Sequence, residues 1–289
     1  LRNNDALLIS ALEHIHVGTG RSSGPVDLPV VRDPFGYPYI PASSLKGSLK
    51  SYLLRKNQCL ENNSKNKKNP CQQSLDCNKV CCLLGGETEE EAGSSPSALT
   101  ILDAYPLLYP VGSNEGISFI TSKLLLERAK NFLDISIVEE GELSTFLAST
   151  TLKVTKICIT FKNINLSELN PIYSIQSCGD GDNGVKAYVV SENDFTRSAE
   201  RSMIRLTRVR LDRSGKTVVE NSLWTEEYLP HTTLFVSAVV ERGWYGEYCK
   251  NVKGEYIEIL KEMSNEIFEL YIGGKETIGK GLVRVMLVR

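Results

Sequence analysis

The run Ala6-Leu7-Leu8-Ile9-Ser10-Ala11-Leu12 is short, apolar and nearly unbroken, which predicts a strand buried on both faces. A strand of that kind needs paired neighbours and covering helices, so it limits the chain to folds built around one sheet. The rest of the pattern supplies those parts. After Pro38 and Pro41, Leu45, Leu49, Tyr52 and Leu53 fall at i, i+4, i+7 and i+8, one face of a helix that Ser43 or Ser44 can cap. A strand follows at Leu99–Asp103, then a helix over about 122–133 with Leu124, Leu125, Ala129 and Phe132 on its apolar side. The chain closes with a helix at 251–265, a strand at 267–272, a glycine-rich loop and a strand at 282–288. Strand, helix, strand and then helix, strand, strand, with long excursions between them, is the order of an α+β domain of ferredoxin-like type. No period of about 20–50 residues recurs, which excludes a solenoid.

Two stretches interrupt this order. Residues 57–97 hold Asn/Lys repeats, five cysteines from Cys59 to Cys82, and an acidic run from Glu87 to Glu91; without a regular period they read as a surface insertion. Residues 165–200 are rich in Asn, Ser, Gly and Asp and read as a mobile loop. Beyond them Ile204–Leu211 alternates strictly, Asp212-Arg213-Ser214-Gly215 turns, and Thr217-Val218-Val219 returns, which is a β-hairpin. Arginine occurs on both faces of its first strand, at Arg205 on one and at Arg208 and Arg210 on the other, so part of the hairpin is expected to lie off the core.

The formal net charge of −2 argues against nucleic acid as a partner, but its distribution does not. Segment 1–58 carries net +3, 201–216 net +5 and 273–289 net +3, which leaves −13 for the remainder. One basic face on an acidic body suits contact with phosphate on one side. Two segments suit it locally. Pro41–Gly47 places Ser43, Ser44 and Lys46 at a helix start, with Lys50 one turn on. Gly273–Gly281 combines four glycines with Lys275 and Lys280. It lacks the Gly-Lys-Ser/Thr ending of a nucleotide-binding P-loop. Asp27 stands among apolar neighbours in an extended stretch, near His14 and His16 in sequence. A carboxylate there can assist RNA cleavage by holding a divalent metal or by taking the proton of a 2′-OH. Asp33, in Arg-Asp-Pro, reads as a turn or salt-bridge residue. For Cys71, Cys77, Cys81 and Cys82, structural zinc, disulfides and free thiols all remain open, because the spacing lacks a paired CxxC. Leu1–Asp5 shows no basic n-region or cleavage site, and no run approaches the ~18 apolar residues of a membrane span. A cytoplasmic protein without a membrane partner is therefore expected.

Taken together, His16-Val17-Gly18-Thr19-Gly20, Val26–Asp33, Pro38–Gly47, Arg210-Leu211-Asp212-Arg213, Leu223–Pro230 and Gly273–Gly281 resemble the RAMP proteins of type III CRISPR systems. The likeness is nearest to the fourth, backbone-forming subunits of type III-B (Cmr) effector complexes, and it spans nearly the whole chain. It implies one RAMP domain over 1–289 with a modified RNA-recognition fold. Copies of such a chain stack along a guide crRNA with other Cmr-type subunits, and a thumb hairpin, here within about 180–220, interrupts the duplex with complementary target RNA. By the same resemblance Asp27 is the residue for cleavage of target RNA dependent on Mg or Mn, with His16, Glu226 and Tyr228 auxiliary. Ser43, Ser44, Lys46, Lys50, Arg205, Arg208, Arg210, Gly274, Lys275 and Lys280 become candidate RNA contacts. Nothing carries over to the cysteine-rich stretch. A non-catalytic RNA-binding scaffold of the same complex, a metal-independent guide-processing nuclease acting through a histidine, and an α+β domain with no RNA role are the competing readings.

Overall fold

The protein is described here from a computed structural model, covering residues 4–60, 69–87, 94–178, 184–212, 214–242, 246–250, 252, 256–264 and 266–288. Strand β1 (Asn4–Ala11) leads through a long loop to helix α1 (Ala42–Lys56) and then α2 (Leu75–Leu84). Short strands β2 (Gly86–Glu87) and β3 (Ser94–Ser95) pair with each other. Next come β4 (Leu99–Ile101), β5 (Tyr105–Ser113), β6 (Gly116–Ser122), α3 (Lys123–Lys130) and the long hairpin of β7 (Ile135–Leu147) and β8 (Thr150–Phe161). Single-turn helices α4 (Leu166–Leu169) and α5 (Ile172–Ile175) precede β9 (Gly184–Val190) and α6 (Glu192–Ser202). A separate two-stranded ribbon follows, β10 (Ile204–Leu211) with β11 (Val218–Tyr228). The chain ends with β12 (Leu234–Glu241), α7 (Tyr256–Ser264), β13 (Ile267–Tyr271) and β14 (Leu282–Val288).

The opening apolar run occupies the position its composition demands. β1 pairs antiparallel with β12 on one side, Leu8 opposite Val236, and with β14 on the other, Leu8 opposite Met286. The main sheet runs β13-β14-β1-β12-β5-β6-β9-β8-β7, with β4 added against β12. Alternation along β1 feeds two cores. Leu7, Ile9 and Ala11 face the layer built by α1, α2, α6 and α7, whereas Ala6 and Leu8 face the layer holding Leu166, Leu169 and Tyr173. Helix α1 buries Leu45, Leu49 and Leu53 as its spacing predicts, and Tyr52 stacks on Phe268.

Several expectations need correction. Neither Ser43 nor Ser44 caps α1. Pro41 precedes the helix, and the Ala42 N–H donates to Asp103 Oδ1 at 2.7 Å. In α3, Leu124 faces solvent and Leu126 takes the buried place, since Leu126 and not Leu124 lies on the face that Leu125, Ala129 and, just beyond the helix, Leu133 turn to the core. The cysteine-rich stretch is no surface excursion where it is described. Helix α2 buries Val80, Leu83 and Leu84 in the same core as α1. The zinc expectation for Cys71, Cys77, Cys81 and Cys82 is overturned. The cysteines pair as Cys59–Cys77, Cys71–Cys81, Cys82–Cys249 and Cys158–Cys178, and disulfide sulfur lacks the thiolate charge that binds zinc. Residues 165–200 are largely ordered body: β9 pairs with both β6 and β8, and α6 buries Phe195 and Ala199. Asn/Lys positions 61–68, positions 88–91 of the acidic run, residues 179–183, Arg213 and positions 253–255 of the closing helix lie outside the described residues.

Candidate functional site

Four segments, two of them near the start of the chain and two beyond residue 220, meet through isolated bridges. Ile15 bridges Leu229, His16 bridges Gly274, Gly18 bridges Val30, and Leu28 bridges Glu226 in parallel. The inner end of β11 thus lies between the His16 segment and the Asp27 segment, and the glycine-rich loop closes over His16. Glycine is required there by close approach. A Cβ on Gly273 would sit 2.2 Å from the His16 carbonyl oxygen, and Gly273 has φ +82. The loop's amides are directed inward: Gly274 N–H donates to His16 O at 2.9 Å and Gly281 N–H to His14 O at 2.8 Å. The expectation that these glycine amides cradle an anion is corrected for both residues, since the protein itself occupies them.

Asp27 is half-buried, and one of its oxygens is fixed: Thr225 N–H donates to Oδ2 at 2.7 Å. The other, Oδ1, accepts no hydrogen bond from the described residues. His16 is buried and its Nδ1 lies 2.7 Å from the Glu227 carbonyl oxygen. A carbonyl can only accept, so Nδ1 carries a proton and Nε2 is the ring nitrogen left to exchange one. Nε2 faces Gly18, where a Cβ would lie at 2.7 Å.

Beside them two adjacent glutamates are almost fully buried, each about 1% exposed. Glu226 accepts from Trp224 Nε1 at 2.7 Å and from the Tyr228 hydroxyl, and pairs with Lys275 at 2.6 Å and Arg208 at 3.3 Å. Burial works to raise its pKa, but the combined hydrogen bonds from Lys275, Tyr228 and Trp224 outweigh it and hold the carboxyl down at about 2. The Tyr228 hydroxyl moves the other way, raised by burial and by its bond to Glu226. Lys280 sits over the Tyr228 ring, 5.6 Å from the centroid. Glu227 accepts from Val30 N–H at 3.1 Å and pairs with Arg32 at 2.9 Å and Arg205 at 3.0 Å. Both arginines also reach Glu200 on α6, which closes a four-membered charge square. Glu227 and Glu200 escaped sequence reasoning because Arg32, which they share, lies far along the chain; for Glu227, an acid in a strand that buries its neighbours was the available signal.

The remaining candidates separate. Arg205, Arg208 and Lys275 hold carboxylates, while Arg210 is exposed and has no ion-pair partner among the described residues. Ser43 and Ser44 line a groove of 490 Å³ between α1 and β13, together with Arg55 and Tyr271. Lys46 and Lys50 do not join them. Lys46 donates to Ser97 Oγ at 2.8 Å, and burial, then the charges of Lys50 and Arg242, lower its pKa. The predicted convergence of serines and lysines at one helix start is therefore corrected. Of the predicted hairpin region, residues 184–202 belong to the body, and only the β10–β11 ribbon exposes apolar side chains. Val209 faces Leu223 and Leu211 faces Val218 across the two strands. No helix among the described residues is long and apolar enough to cross a membrane.

The family profile described as "RAMP superfamily" matches residues 8–284. The chain belongs to the RAMP superfamily. Within curated RAMP relatives, it is 30% identical to the "CRISPR system CMR subunit Cmr4" of Saccharolobus solfataricus, over 96% of this chain and 94% of that one. It is 29% identical to the "CRISPR system Cmr endoribonuclease Cmr4" of Pyrococcus furiosus, over 94% and 91%. Among solved structures, a chain of the type III-B Cmr-beta complex bound to cognate target RNA superposes with a TM-score of 0.68 at 26% identity, covering 98% of this chain and 96% of that one. A mixed α/β RAMP fold around a large sheet is thus common to both.

No group of three or more His, Cys, Asp or Glu among the described residues could cage a metal ion. The open Asp27 Oδ1 suits a looser role. Mg²⁺ keeps most of its water and is commonly held through one or two carboxylates together with substrate phosphate.

Proposed function

We propose that this RAMP protein is a guide-RNA-binding backbone subunit of a cytoplasmic type III-B CRISPR effector complex and cleaves complementary target RNA at regular intervals. The observation that carries the reading is Asp27, with one oxygen fixed by Thr225 N–H and the other open, in the loop segment that bridges β11 at Glu226 and the His16 segment at Gly18. Asp27 would be the single protein ligand of a hydrated divalent metal. When bound, that ion would supply charge neutralisation at the scissile phosphate.

The chain's own groups do the rest. The Glu227 carbonyl fixes the His16 tautomer and leaves Nε2 able to take the 2′-OH proton of the nucleotide being cut. The 2′-oxygen then attacks phosphorus and the bond to the 5′-oxygen breaks; the leaving oxygen takes a proton from water, which gives a 2′,3′-cyclic phosphate and a 5′-hydroxyl, and His16 returns its proton to solvent. Glu226 and Tyr228 hold Lys275 and Arg208 at the edge of the site. Guide pairing selects the sequence, further copies of this chain and other Cmr-type subunits complete the assembly, and the β10–β11 ribbon serves as the thumb. The sulfur chemistry of α2 takes no part.

The test is cleavage of a guide-complementary RNA by the assembled complex, wild type against Asp27→Ala, in Mg²⁺ or EDTA. Evenly spaced products are expected from wild type in Mg²⁺ and from none of the other three combinations. An Asp27→Ala complex that still cuts at every interval sinks the assignment. Tight target binding without cleavage by wild type leaves this chain a scaffold.

A further inference from the structure

Glu226 and Glu227 are neighbours on β11, so alternation sends their side chains to opposite sides of the ribbon. Glu226 meets Lys275, Arg208 and Trp224. Glu227 turns the other way, and its carboxylate is divided between two parts of the molecule. Oε2 accepts from Val30 N–H at 3.1 Å and from Arg32 at 2.9 Å, while Oε1 lies 3.0 Å from Arg205. Arg205 stands directly opposite Glu227 in the register of the ribbon.

The backbone of the same residue is engaged as well. Its carbonyl lies 2.7 Å from His16 Nδ1, and its N–H donates to Leu28 O at 3.1 Å. Leu28 N–H in turn donates to Thr225 O at 3.0 Å, and Thr225 N–H holds Asp27 Oδ2 at 2.7 Å. Glu227 therefore touches His16 directly and the chain just beyond Asp27 at two points, Leu28 and Val30. The Asp27 segment meets β11 through an isolated bridge, not a full ladder, so side-chain bonds carry much of its placement. Arg32 closes the arrangement: its Nη1 donates to Val30 O at 2.9 Å while its Nη2 reaches Glu227.

A carboxylate about 1% exposed is costly to bury, and an apolar side chain would hold the fold as well. An apolar side chain could not direct one acceptor at Val30 N–H and Arg32 together. Reacting groups need such support, because a displacement of about 1 Å can cost about 100-fold in rate.

We propose that the Glu227 carboxylate is a positioning group for cleavage. It fixes the Asp27 segment against His16 through Val30 and Arg32, and through Arg205 it ties that register to the ribbon. The proposal rests on the RNA-cleaving reading above and adds what holds its two groups together.

The test uses the assembled complex. Single-turnover cleavage is measured at saturating target, and affinity is measured separately on a target with 2′-deoxy residues at the cut positions. Glu227→Gln keeps an acceptor for Val30 N–H but loses both ion pairs. Its cleavage rate should fall about 10- to 100-fold, with target affinity unchanged. Arg32→Gln should slow cleavage likewise, and the double variant should be no slower than the slower single one, because both remove the same contact. Arg205→Gln should slow cleavage less, since Arg32 still holds the Asp27 segment; lost affinity at full rate there would make Arg205 an RNA contact and overturn the tie to the ribbon. An unchanged rate in Glu227→Gln, a rate loss matched by an equal loss of affinity, or losses that multiply in the double variant overturns the positioning role. If Glu227→Gln does not assemble, Arg32→Lys decides. It keeps the charge but not the fork that reaches Val30 O and Glu227 together, so full-rate cleavage by it overturns the proposal and slowed cleavage at unchanged affinity supports it. Asp27→Ala is run beside these. If it still cuts, the cleavage reading fails and the positioning role with it; if it is inactive while Glu227→Gln cuts at full rate, the positioning role alone fails.

Discussion

The region around α2 and the region around Glu226 and Glu227 both gather residues from distant parts of the chain, by opposite means. Around α2 the ties are covalent and apolar: Cys59–Cys77, Cys71–Cys81 and Cys82–Cys249 enclose Val80, Leu83 and Leu84. Around the glutamates the ties are ionic, with two buried carboxylates each shared between two cations and further donors. A disulfide-held layer is indifferent to charge and solvent. An ionic one keeps polar groups where a polyanion can meet them, and it also neutralises arginines and lysines that the sequence alone counts as free. The positive charge offered to RNA is therefore smaller, and more localised, than the +5 of segment 201–216 suggests.

Breaking the covalent region should have the largest effect on stability. Cys82–Cys249 closes a separation of 167 residues, for which the chain-entropy account gives about 5 kcal/mol, an upper value since denatured chains keep some structure. Cys82→Ser should lower Tm by up to about 10 °C. Amide exchange should rise in α2 and change little in 225–229. Equal loss of protection in both regions would show that they unfold as one unit.

Acid sharpens the contrast from the other side. Glu226 titrates near 2 in the folded protein, below its unfolded value. Its contribution is thus fully present above the usual carboxylate range and is lost as pH falls toward 2. The effect is on the order of 2 kcal/mol, since the cations that hold it face solvent. Between about pH 4.5 and 2, amide protection at Thr225–Leu229 should fall before that of α2. Glu226→Gln should remove the pH step. Simultaneous loss in both regions would show that the site is not held by this carboxylate.

The two regions were also unequally legible in the sequence. Periodicity found β1, α1, β14 and the β10–β11 ribbon, because each obeys a local rule of alternation or 3.6-residue spacing. It overlooked β12, although Leu234–Val240 is as apolar as β1. It also read β9 as part of a loop, because the polar residues around that short strand masked it. Asp27 stood out locally, as a carboxylate among apolar neighbours, whereas the auxiliary roles of His16, Glu226 and Tyr228 came from the resemblance and not from spacing. Nothing local indicates that Arg205 and Arg32 share Glu227, a contact spanning 195 residues in one case. The cysteine pairing was equally hidden, since spacing gives counts and not partners.

Helix α1 packs against α2 and β13, and its start offers the smallest test. The sequence suggested a serine cap, whereas the structure places the Asp103 carboxylate on the Ala42 N–H at 2.7 Å. A cap supplied from 61 residues away ties α1 to the end of β4 as well as satisfying an orphan donor. Asp103→Ala should therefore cost about 1 kcal/mol, measured as a shift in urea midpoint without a change in slope. Ser44→Ala should cost a few tenths at most, because no side-chain cap is lost and alanine is the better helix former. If the two costs were reversed, the serine would be the true cap and the Asp103 contact incidental. The same pair of variants also divides stability from RNA contact. Ser44→Ala leaves the helix intact, so any weakening of guide binding it causes belongs to the groove between α1 and β13 and not to the fold.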